Sequence, residues 1–557
     1  MAWHAFEQDK AFVTEALRDG TFDYVEVIAK VVETEFFRTL LGEGVLARLA
    51  ASYPTPRKKE EVPLWLYLAS ELTLRLHGAA GFGAYPYVLH CGGLLDALSP
   101  DRVARKLDPR TGQSRTVVAG FNDKNHYART TPCDHDTLRK MAKDTAPARL
   151  ERWFATDVVR EYQRLGAFDP AGVFVVDGTY IFVPPDNDRY ERSSRLFFGP
   201  DGHPITKAKA AQLPREQRDR CQWRRCYRAV TLCHTTPGKD YALRCGTAVL
   251  PGRDSETPQV WPLAQRFVDA VGPGVMKLLV FDRGLIDGKT VTRLKRAGVD
   301  SLFPLKHGMD LWEDAKLLAL HDGTPWGRYD IPRPPAPPVP PERPDAVVRR
   351  EAARQRTLER TRRQADPEAP KRTLAWLEYK WIEPSTIWES CDVGVSVLLL
   401  RNHYANGDTL EWALASTRVF DDPLDMRTAY QLRPAVEEGY RHSKCFWDLT
   451  GFRSTSFSQV VNRILFVELA ASLIQIFLRK IGRDELVGAT RQRLLDSLLP
   501  HDSQVALYHQ QRFGLFSVYE YQELLLTLRE GARRKVLGKT RRLRRAQLRP
   551  PERPWRS

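Results

Sequence analysis

Residues 172–183 read GVFVVDGTYIFV, a run of β-branched and aromatic residues interrupted by an Asp-Gly pair. Two similar runs follow, RCYRAVTLCHT at 225–235 and YALRCGTAVL at 241–250. Short apolar runs of this composition, bounded by turn residues, are typical of β-strands. The sequence therefore predicts three neighbouring strands, the first of which carries Asp177.

The pattern then alternates between helix and strand. TPQVWPLAQRFVDAVG at 257–272 is helix-like, VMKLLVFD at 275–282 is strand-like, and a helix (288–298) and a strand (301–305) follow. Three strands followed by alternating helices and strands predict an α/β sheet covered by helices. Asp177 and Asp282 fall at or just past the ends of two apolar strands, where ligands bind in open α/β sheets.

The regions on either side of this sheet differ in character. The first 165 residues predict mainly helices, because stretches such as 21–41 and 60–78 repeat apolar residues every three or four positions. Residues 307–420 interrupt the sheet with eight prolines at 332–344, a charged segment at 345–364 and three strand-like runs, which predict a β-rich insertion. From Asp425 onward the pattern predicts helices almost to the C-terminal tail.

Composition and charge narrow the class of protein. The chain has 557 residues, of which 42% are hydrophobic, so it is long enough for several domains. The eight cysteines are scattered, and Cys221, Cys226, Cys233 and His234 lack the spacing of a zinc site. The longest apolar stretch, 464–478, is shorter than a bilayer requires, and no secretory signal pattern is found near residue 1. We therefore expect a cytoplasmic protein with reduced thiols and no membrane partner.

Positive charge is concentrated at the C-terminus. The net charge is +16, and residues 533–557 contribute eleven Lys and Arg against one Glu. Such a tail can neutralise nucleic-acid phosphates and release their counterions, or it can be a solvated terminus that aids solubility. We favour nucleic acid as the partner.

Residues 429–444, AYQLRPAVEEGYRHSK, contain four polar residues at helical spacing: Tyr430, Arg433, Glu437 and Lys444. On an ideal helix these four side chains fall within an arc of about 60°, where a structural helix usually has an apolar stripe. Pro434 interrupts this pattern, since an interior proline starts or kinks a helix. The spacing predicts a functional polar stripe, with a solvated helix face as the alternative.

Taken in order, VFVVDGTY, VFDRGL and Y-x2-R-x3-E-x6-K resemble the three catalytic blocks of bacterial DDE transposases of the insertion-sequence-four family. The resemblance covers roughly residues 170–480. It implies an RNase H-like mixed sheet with flanking helices and a β-rich insertion, which agrees with the order of elements above. It also implies five regions: a helical N-terminal DNA-binding region (1–165), the two parts of the catalytic core (166–306 and 421–485), the insertion (307–420), and a helical C-terminal region with the basic tail (486–557).

The resemblance further implies the roles of individual residues. Asp177, Asp282 and Glu437 would be the catalytic carboxylates that bind two Mg²⁺ ions, with Mn²⁺ able to substitute. Carboxylates suit Mg²⁺ because it prefers hard oxygen ligands. Trp412 would stack on a base flipped from the transposon end, although Trp376, Trp381 and Trp388 compete for this role. The expected DNA contacts are made by Tyr430, Arg433, Lys444 and, in the tail, Arg541, Arg542, Arg544 and Arg545.

These expectations define a function. The sequence predicts a cut-and-paste DNA transposase that acts on double-stranded DNA, both at inverted repeats and at a target, as a homodimer associated with the nucleoid. A hairpin intermediate is an option that the sequence leaves open. The alternative is a domesticated, catalytically silent DNA-binding protein. An aspartyl-phosphate phosphatase is disfavoured, because Thr179 stands where the second acid of that motif is needed.

Overall fold

The computed structural model describes most of the chain outside a few gaps. The N-terminal gaps leave short pieces between residues 86 and 134, and the longest later gaps are 332–373 and 488–503. The Pro-rich and charged segments of the insertion therefore lie outside the described residues. The described ranges are 7–28, 30–58, 62–85, 88, 94–97, 103–107, 114–118, 135–237, 241–323, 325–331, 374–386, 388–447, 449–484, 487, 504–510 and 512–548.

Strands occur in every part of the described chain. They are β1 Glu7–Gln8, β2 Tyr24–Ile28, β3 Val103–Leu107, β4 Ser114–Val118, β5 Val173–Val183, β6 Ser194–Phe198, β7 Gln222–Thr235, β8 Ala242–Pro251, β9 Leu278–Phe281, β10 Asp300–Pro304, β11 Gly327–Asp330, β12 Leu374–Ser385, β13 Val395–Tyr404, β14 Thr409–Ser416, β15 Gln504–His509 and β16 Arg512–Ser517.

Helices alternate with these strands. They are α1 Lys10–Asp19, α2 Lys30–Gly42, α3 Val45–Ser52, α4 Leu64–Leu76, α5 Leu94–Ala97, α6 His135–Asp144, α7 Pro147–Trp153, α8 Val159–Arg164, α9 Lys207–Ala211, α10 Arg215–Arg218, α11 Val260–Val271, α12 Gly288–Arg296, α13 Asp310–His321, α14 Pro423–Tyr430, α15 Pro434–Phe446, α16 Phe457–Lys480, α17 Val518–Thr527 and α18 Glu530–Leu548.

The chain forms two compact units, which we call the first unit (residues 1–277 and 432–557) and the second unit (278–431). The fold class is α/β, with mixed sheets and flanking helices. Three long antiparallel strands, β5, β7 and β8, precede helix, strand, helix and strand in the order α11, β9, α12, β10. This is the element order of an RNase H-like core, as the sequence predicts.

In the first unit, β7 is the longest strand and organises the sheet. On one side, residues 225–235 of β7 pair with β5. On the other side two strands lie end to end, because β8 pairs with the C-terminal part of β7 and β6 pairs with residues 222–226. Strand β6 was not predicted from the sequence, because it lies in an arginine-rich connection.

Helix α16 is the core helix of the first unit. By length and composition it is the one described helix that could cross a membrane, but the apolar part is wholly buried in the structure. It packs on β8 and on the N-terminal helices α2, α4, α6 and α7. A helix that is apolar on all sides requires such surroundings on all sides.

Polar side chains of α16 and α7 accept hydrogen bonds from the backbone amides along the outer edge of β8. Gln475 accepts the amide of Ala242 at 2.9 Å and Ser472 accepts the amide of Arg244 at 3.1 Å. Glu151 of α7 accepts the amide of Val249 at 2.9 Å. Because a buried backbone donor without a partner is destabilising, these side chains allow a strand edge to lie inside the protein.

The two ends of the chain form a small sheet of their own within the first unit. The strand order is β1-β16-β15-β2, so residues 24–28 pair with residues 504–508. Residues from both ends make its core, which includes Val13, Leu17, Leu507 and Val536. We call this part the terminal module. It includes the first half of α18, the helix formed by the basic tail.

The second unit contains one mixed sheet with the order β11-β12-β13-β14-β10-β9. Strands β9 and β10 are parallel and are connected by α12, whereas β10 to β14 and the strands beyond are antiparallel. The three predicted insertion strands correspond to β12, β13 and β14. Because β14 pairs with β10, the insertion strands continue the sheet that contains β9.

Two predictions from helical periodicity are wrong. Tyr24–Ile28, YVEVI, lies in the stretch predicted as helix but is a strand that pairs with β15. Its valines alternate with polar or aromatic residues, which is the period of a strand with one buried face. The C-terminal region, predicted as helical, also contains the β15–β16 hairpin. The five domain boundaries proposed from the sequence remain a prediction.

The terminal module gives a test of stability. Leu507 is fully buried in its core, whereas Leu526 of α17 is 69% exposed. We expect Leu507→Ala to destabilise the module by about 2–5 kcal/mol, because it leaves a cavity that the core cannot refill, and Leu526→Ala to have little effect. Native-state hydrogen exchange of the amides in β2, β15 and β16 measures the difference. Equal protection in the two variants would contradict the described core.

Candidate active site

Asp177 lies within β5, so the prediction that it lies at or just past the end of its strand is wrong. It stands at the point where the strand changes from fully buried to half-buried residues. Its Oδ1 accepts the amide of Gly178 at 2.8 Å. A Cβ at Gly178 would clash with the carboxylate of Glu256, so a second acid lies beside this part of the strand. Glu256 pairs with Arg228 at 3.7 Å. The glycine after Asp177 therefore leaves room for the Glu256 side chain in its present position, a contact that the sequence alone did not indicate.

Glu437 lies in the first turn of α15, and Pro434 decides how this helix begins. Pro434 occupies the first helical position and Arg433 is the N-cap residue. Proline is favoured at the first position because the amide that it lacks would have no helical partner there. The proline thus starts the helix. Tyr430 ends the preceding helix α14, so the prediction that it shares one helical stripe with Glu437 and Lys444 is wrong.

Arg433 connects the two acids of the first unit. Its Nη2 lies 3.4 Å from Asp177 Oδ2 and 2.8 Å from Glu437 Oε1. The side chain of Asp177 is 13% exposed and that of Glu437 is 53% exposed. One guanidinium therefore approaches two carboxylates that are 260 residues apart in sequence. The sequence analysis expected Arg433 to contact DNA phosphates, and this structure places it on the acids.

Lys444 anchors the other end of the helix to the same strand. Its Nζ donates to Thr179 Oγ1 at 2.6 Å and to the carbonyl of Tyr180 at 2.8 Å. These acceptors are two and three residues beyond Asp177. Lys444 therefore helps to hold α15 against β5, a contact that the polar stripe did not predict.

Tyr440 is a site residue that the sequence analysis missed. Its buried hydroxyl donates to the main-chain carbonyl of Asp177 at 2.9 Å. Burial raises the pKa of Tyr440, and the charge of Asp177 raises it further. One residue earlier in α15, a Cβ at Gly439 would come within 2.7 Å of Arg244 Nη2, so the helix sits close to β8. The spacing of Glu437 and Tyr440 could have suggested that Tyr440 lies near the same strand.

A buried acid lies behind Tyr440. Glu468 of α16 bonds to Thr247, and its Oε1 lies 3.4 Å from the hydroxyl of Thr231, the residue of β7 that pairs with Asp177. Burial raises the pKa of Glu468 to about 7, while its hydrogen bond with Thr247 opposes this shift. The feature of the sequence that indicated this buried acid was a glutamate inside the apolar stretch 464–478. This polar network supports the strand that carries Asp177.

The remaining predicted residues lie in the second unit. Asp282 directly follows β9 and caps the 3-10 turn Arg283–Leu285. Trp412 of β14 is half-buried, and its ring centroid lies 6.1 Å from that of Tyr430. In the described part of the chain its buried Nε1 has no hydrogen-bond partner. Trp312, Trp326 and Trp412 line a cavity of about 100 Å³.

The competing tryptophans differ in their surroundings. Trp376 stacks on His403 with centroids 3.7 Å apart, and Arg328 lies 4.3 Å from its ring centroid. Trp388 lies against Phe303 at 5.8 Å. Both Trp376 and Trp388 therefore already have aromatic partners. The side chains of Arg541, Arg542, Arg544 and Arg545 lie outside the described residues, although their backbone belongs to α18.

The acidic side chains of the site are possible ligands of a divalent cation. Among the residues that the structure describes, no group of three or more His, Cys, Asp or Glu side chains lies together as a metal site. Asp177 and Glu437 nevertheless present carboxylate oxygens to one positive group, the Arg433 guanidinium. Hard oxygen donors around a cation are what Mg²⁺ requires. The donor set of the first unit fits such an ion, with Arg433 in the position of the positive charge.

The pKa of Glu468 predicts a pH dependence of stability. Because folding raises this pKa from its usual 4.5 to about 7, the contribution of the protonated acid is complete below pH 4.5 and is lost as the pH rises to 7. We expect Glu468→Gln to gain about 3 kcal/mol relative to the wild type between these pH values and to stay level above them. Urea unfolding at several pH values measures this, with the exposed Glu313→Gln as the baseline. A pH-independent difference would contradict the burial of Glu468.

Comparison with known proteins gives the family. The family model described as "Transposase DDE domain" matches residues 170–474, more than half of the chain. A cryo-EM structure of the piggyBac transposase synaptic complex with hairpin DNA is 10% identical over 86% of this chain and 75% of that chain, with a TM-score of 0.31, too low to support an argument. No curated protein sequence matches. The matched region contains Asp177, Asp282 and Glu437, and the chain belongs to the transposase DDE domain family.

Proposed function

We propose that this protein is a DNA transposase that moves an insertion sequence by a cut-and-paste reaction. In the proposed reaction, water hydrolyses a strand at the element end, and the freed 3′-OH then attacks the opposite strand or the target. Both steps are phosphoryl transfers at the same acidic site. The protein would bind inverted repeats and target DNA as a homodimer in the nucleoid.

One observation supports the proposal most strongly: Asp177 and Glu437 share the guanidinium of Arg433. Two carboxylates at one point repel each other, so this arrangement is unfavourable unless a cation lies there. The first and third acids of the family motif are the residues that meet in this way. An ion pair that served only to stabilise the fold would need only one of these two carboxylates.

We propose Asp282 as the third ligand, since it follows β9 in the Asp, Asp, Glu order of the family. When bound, a pair of Mg²⁺ ions would supply charge stabilisation for the attacking and the leaving oxygen of an in-line displacement. The residues of this chain would hold the scissile phosphate and the adjacent DNA phosphates in position for the reaction. Tyr440 and the network around Glu468 fix the strand of Asp177, and Lys444 fixes the helix of Glu437.

The DNA contacts are proposed from the same residues. Arg433 would move from the acids to a DNA phosphate once a metal neutralises them, because a guanidinium pairs equally well with phosphate oxygens. Trp412 would accept a flipped base beside Tyr430, since stacking on an aromatic side chain stabilises an unpaired base by about 1–3 kcal/mol. The arginines of α18 would bind phosphates of the same duplex.

Substitution of each acid tests the proposed site. We expect Asp177→Asn, Asp282→Asn and Glu437→Gln each to lower Mg²⁺-dependent cleavage by at least about 100- to 1000-fold while end binding remains, because each removes a charge that acts on the reacting phosphate. Asp254→Asn, an exposed acid of the first unit, is the matched control. Cleavage at the wild-type rate by any of the three variants would remove that acid from the site. A wild-type protein that binds but never cleaves would favour the catalytically silent alternative.

Substitution of Lys444 tests whether this residue acts at the site. We expect Lys444→Ala to slow single-turnover cleavage by about 100-fold at saturating protein, because a shift of about 1 Å in α15 misplaces the reacting groups. Arg545→Ala, a tail variant, should leave this rate unchanged. If the two variants cleave at the same rate, Lys444 has no role at the site.

A third variant separates two explanations for Lys444. Thr179→Val removes the hydroxyl that accepts from Lys444 but keeps the lysine. If Lys444 acts by holding α15 to β5, this variant slows cleavage as well, although by less than Lys444→Ala, because the carbonyl of Tyr180 still accepts from the lysine. If it acts only on a DNA phosphate, Thr179→Val cleaves like the wild type.

A further inference from the structure

Positive charge in the body of the protein is concentrated in one segment. Residues 192–225 contain nine Lys and Arg against three Asp and Glu, a net charge of +6. The net charge of the whole chain is +16, and residues 533–557 contribute +10 of it, so the residues outside this segment and the tail are neutral overall. The segment includes β6 and the start of β7.

The strand register brings two of these cations onto one face of the sheet. Arg195 of β6 pairs directly with Arg225 of β7, and Phe197 pairs with Trp223. Residues directly opposite each other on antiparallel strands share a face, and like charges in such a pair are destabilising. In the described part of the chain, neither arginine forms an ion pair with a carboxylate. The Nε of Arg225 is buried without a hydrogen-bond partner among the described residues.

An exposed aromatic ring positions two of the cations. Trp223 is 40% exposed, and its ring packs against Phe197 with centroids 5.2 Å apart. The Arg195 guanidinium lies 5.3 Å and the Lys207 ammonium 5.5 Å from the ring centroid of Trp223. Such cation–π contacts keep two long side chains at the surface in defined positions. They reduce the entropy that the side chains would lose on binding an anion.

A cavity opens beside the arginine pair. Because β6 and β8 lie end to end along β7, a gap of about 390 Å³ remains at their junction, lined in part by Arg192, Ser193, Ser194 and Arg195. Arg192 has a φ of 61°, an uncommon conformation for a residue other than glycine. Its guanidinium lies 4.5 Å from the ring centroid of Phe457, which helps to hold it there. Strained residues of this kind are often found at binding sites.

We propose that Arg192, Arg195, Lys207, Trp223 and Arg225, which we call the β6–β7 basic surface, bind the phosphate backbone of duplex DNA. The surface fits DNA because an oxyanion between Arg195 and Arg225 removes their repulsion, and guanidinium groups bind phosphate oxygens in pairs. Contacts of this kind position the duplex without reading its sequence. This inference rests on the proposed transposase function and adds a contact surface distinct from the acids and from the tail.

The test compares binding of a fluorescein-labelled, random-sequence duplex of about 30 base pairs at several salt concentrations. Arg195→Ala/Lys207→Ala removes two exposed cations, so we expect about tenfold weaker binding and a slope of log K against log salt that is shallower by about 2 units. The control, Lys289→Ala/Arg293→Ala, removes two exposed cations from α12. The charge-preserving variant Arg195→Lys/Lys207→Arg should bind like the wild type, which separates loss of charge from misfolding.

The outcomes distinguish this inference from the proposed function. If the wild type binds the duplex and both Ala double variants have its affinity and slope, the β6–β7 basic surface does not bind DNA. If the control double variant loses as much affinity as Arg195→Ala/Lys207→Ala, binding depends only on total charge, and the inference is again wrong. A wild type that neither binds nor cleaves DNA would instead overturn the proposed function.

Discussion

Repulsion between Asp177 and Glu437 is the constraint on which the candidate site depends. Two carboxylates held near each other need a cation, and here Arg433 supplies it from the N-cap position of α15. The helix must therefore be held firmly, and it is held at three levels: by Arg433 at its start, by Tyr440 in its middle and by Lys444 near its end. All three bond to residues 177–180 of β5.

The supporting layer behind β5 is polar although it is buried. Glu468 and the two threonines that face it sit where an apolar core would be more stable, since an ionisable group is costly to bury. Glu151, which binds the edge of β8, likewise has a pKa raised to about 7 by burial. These acids satisfy hydroxyl and backbone groups that would otherwise be unpaired. The first unit thus gains a defined strand position and loses some stability at neutral pH.

Much of the core was predictable because its strands are apolar runs bounded by turn residues. The runs that lead to Asp177 and Asp282 are of this kind, and the helix of Glu437 follows from the helical spacing of Glu437 and Lys444. Other features depend on distant partners. YVEVI is a strand only because residues 504–508 pair with it, and β6 is a short strand within a charged connection whose partner, β7, begins only at Gln222. From the sequence, Pro434 could either kink a helix or start one, and the N-cap position of Arg433 in the structure shows that it starts α15. The contacts of Lys444 and Tyr440 with β5 require tertiary structure.

The terminal module has a consequence for how the chain is synthesised. Its strand β15 is synthesised nearly 480 residues after its partner strand β2. Until then the apolar face of β2 and α1 has no sheet to cover it, and during translation it is exposed to other nascent chains and to chaperones. Closing so long a loop adds only modest entropy, since each doubling of its length costs about 0.6 kcal/mol, but it delays the contact. The module can therefore assemble only after residues 504–536 have left the ribosome.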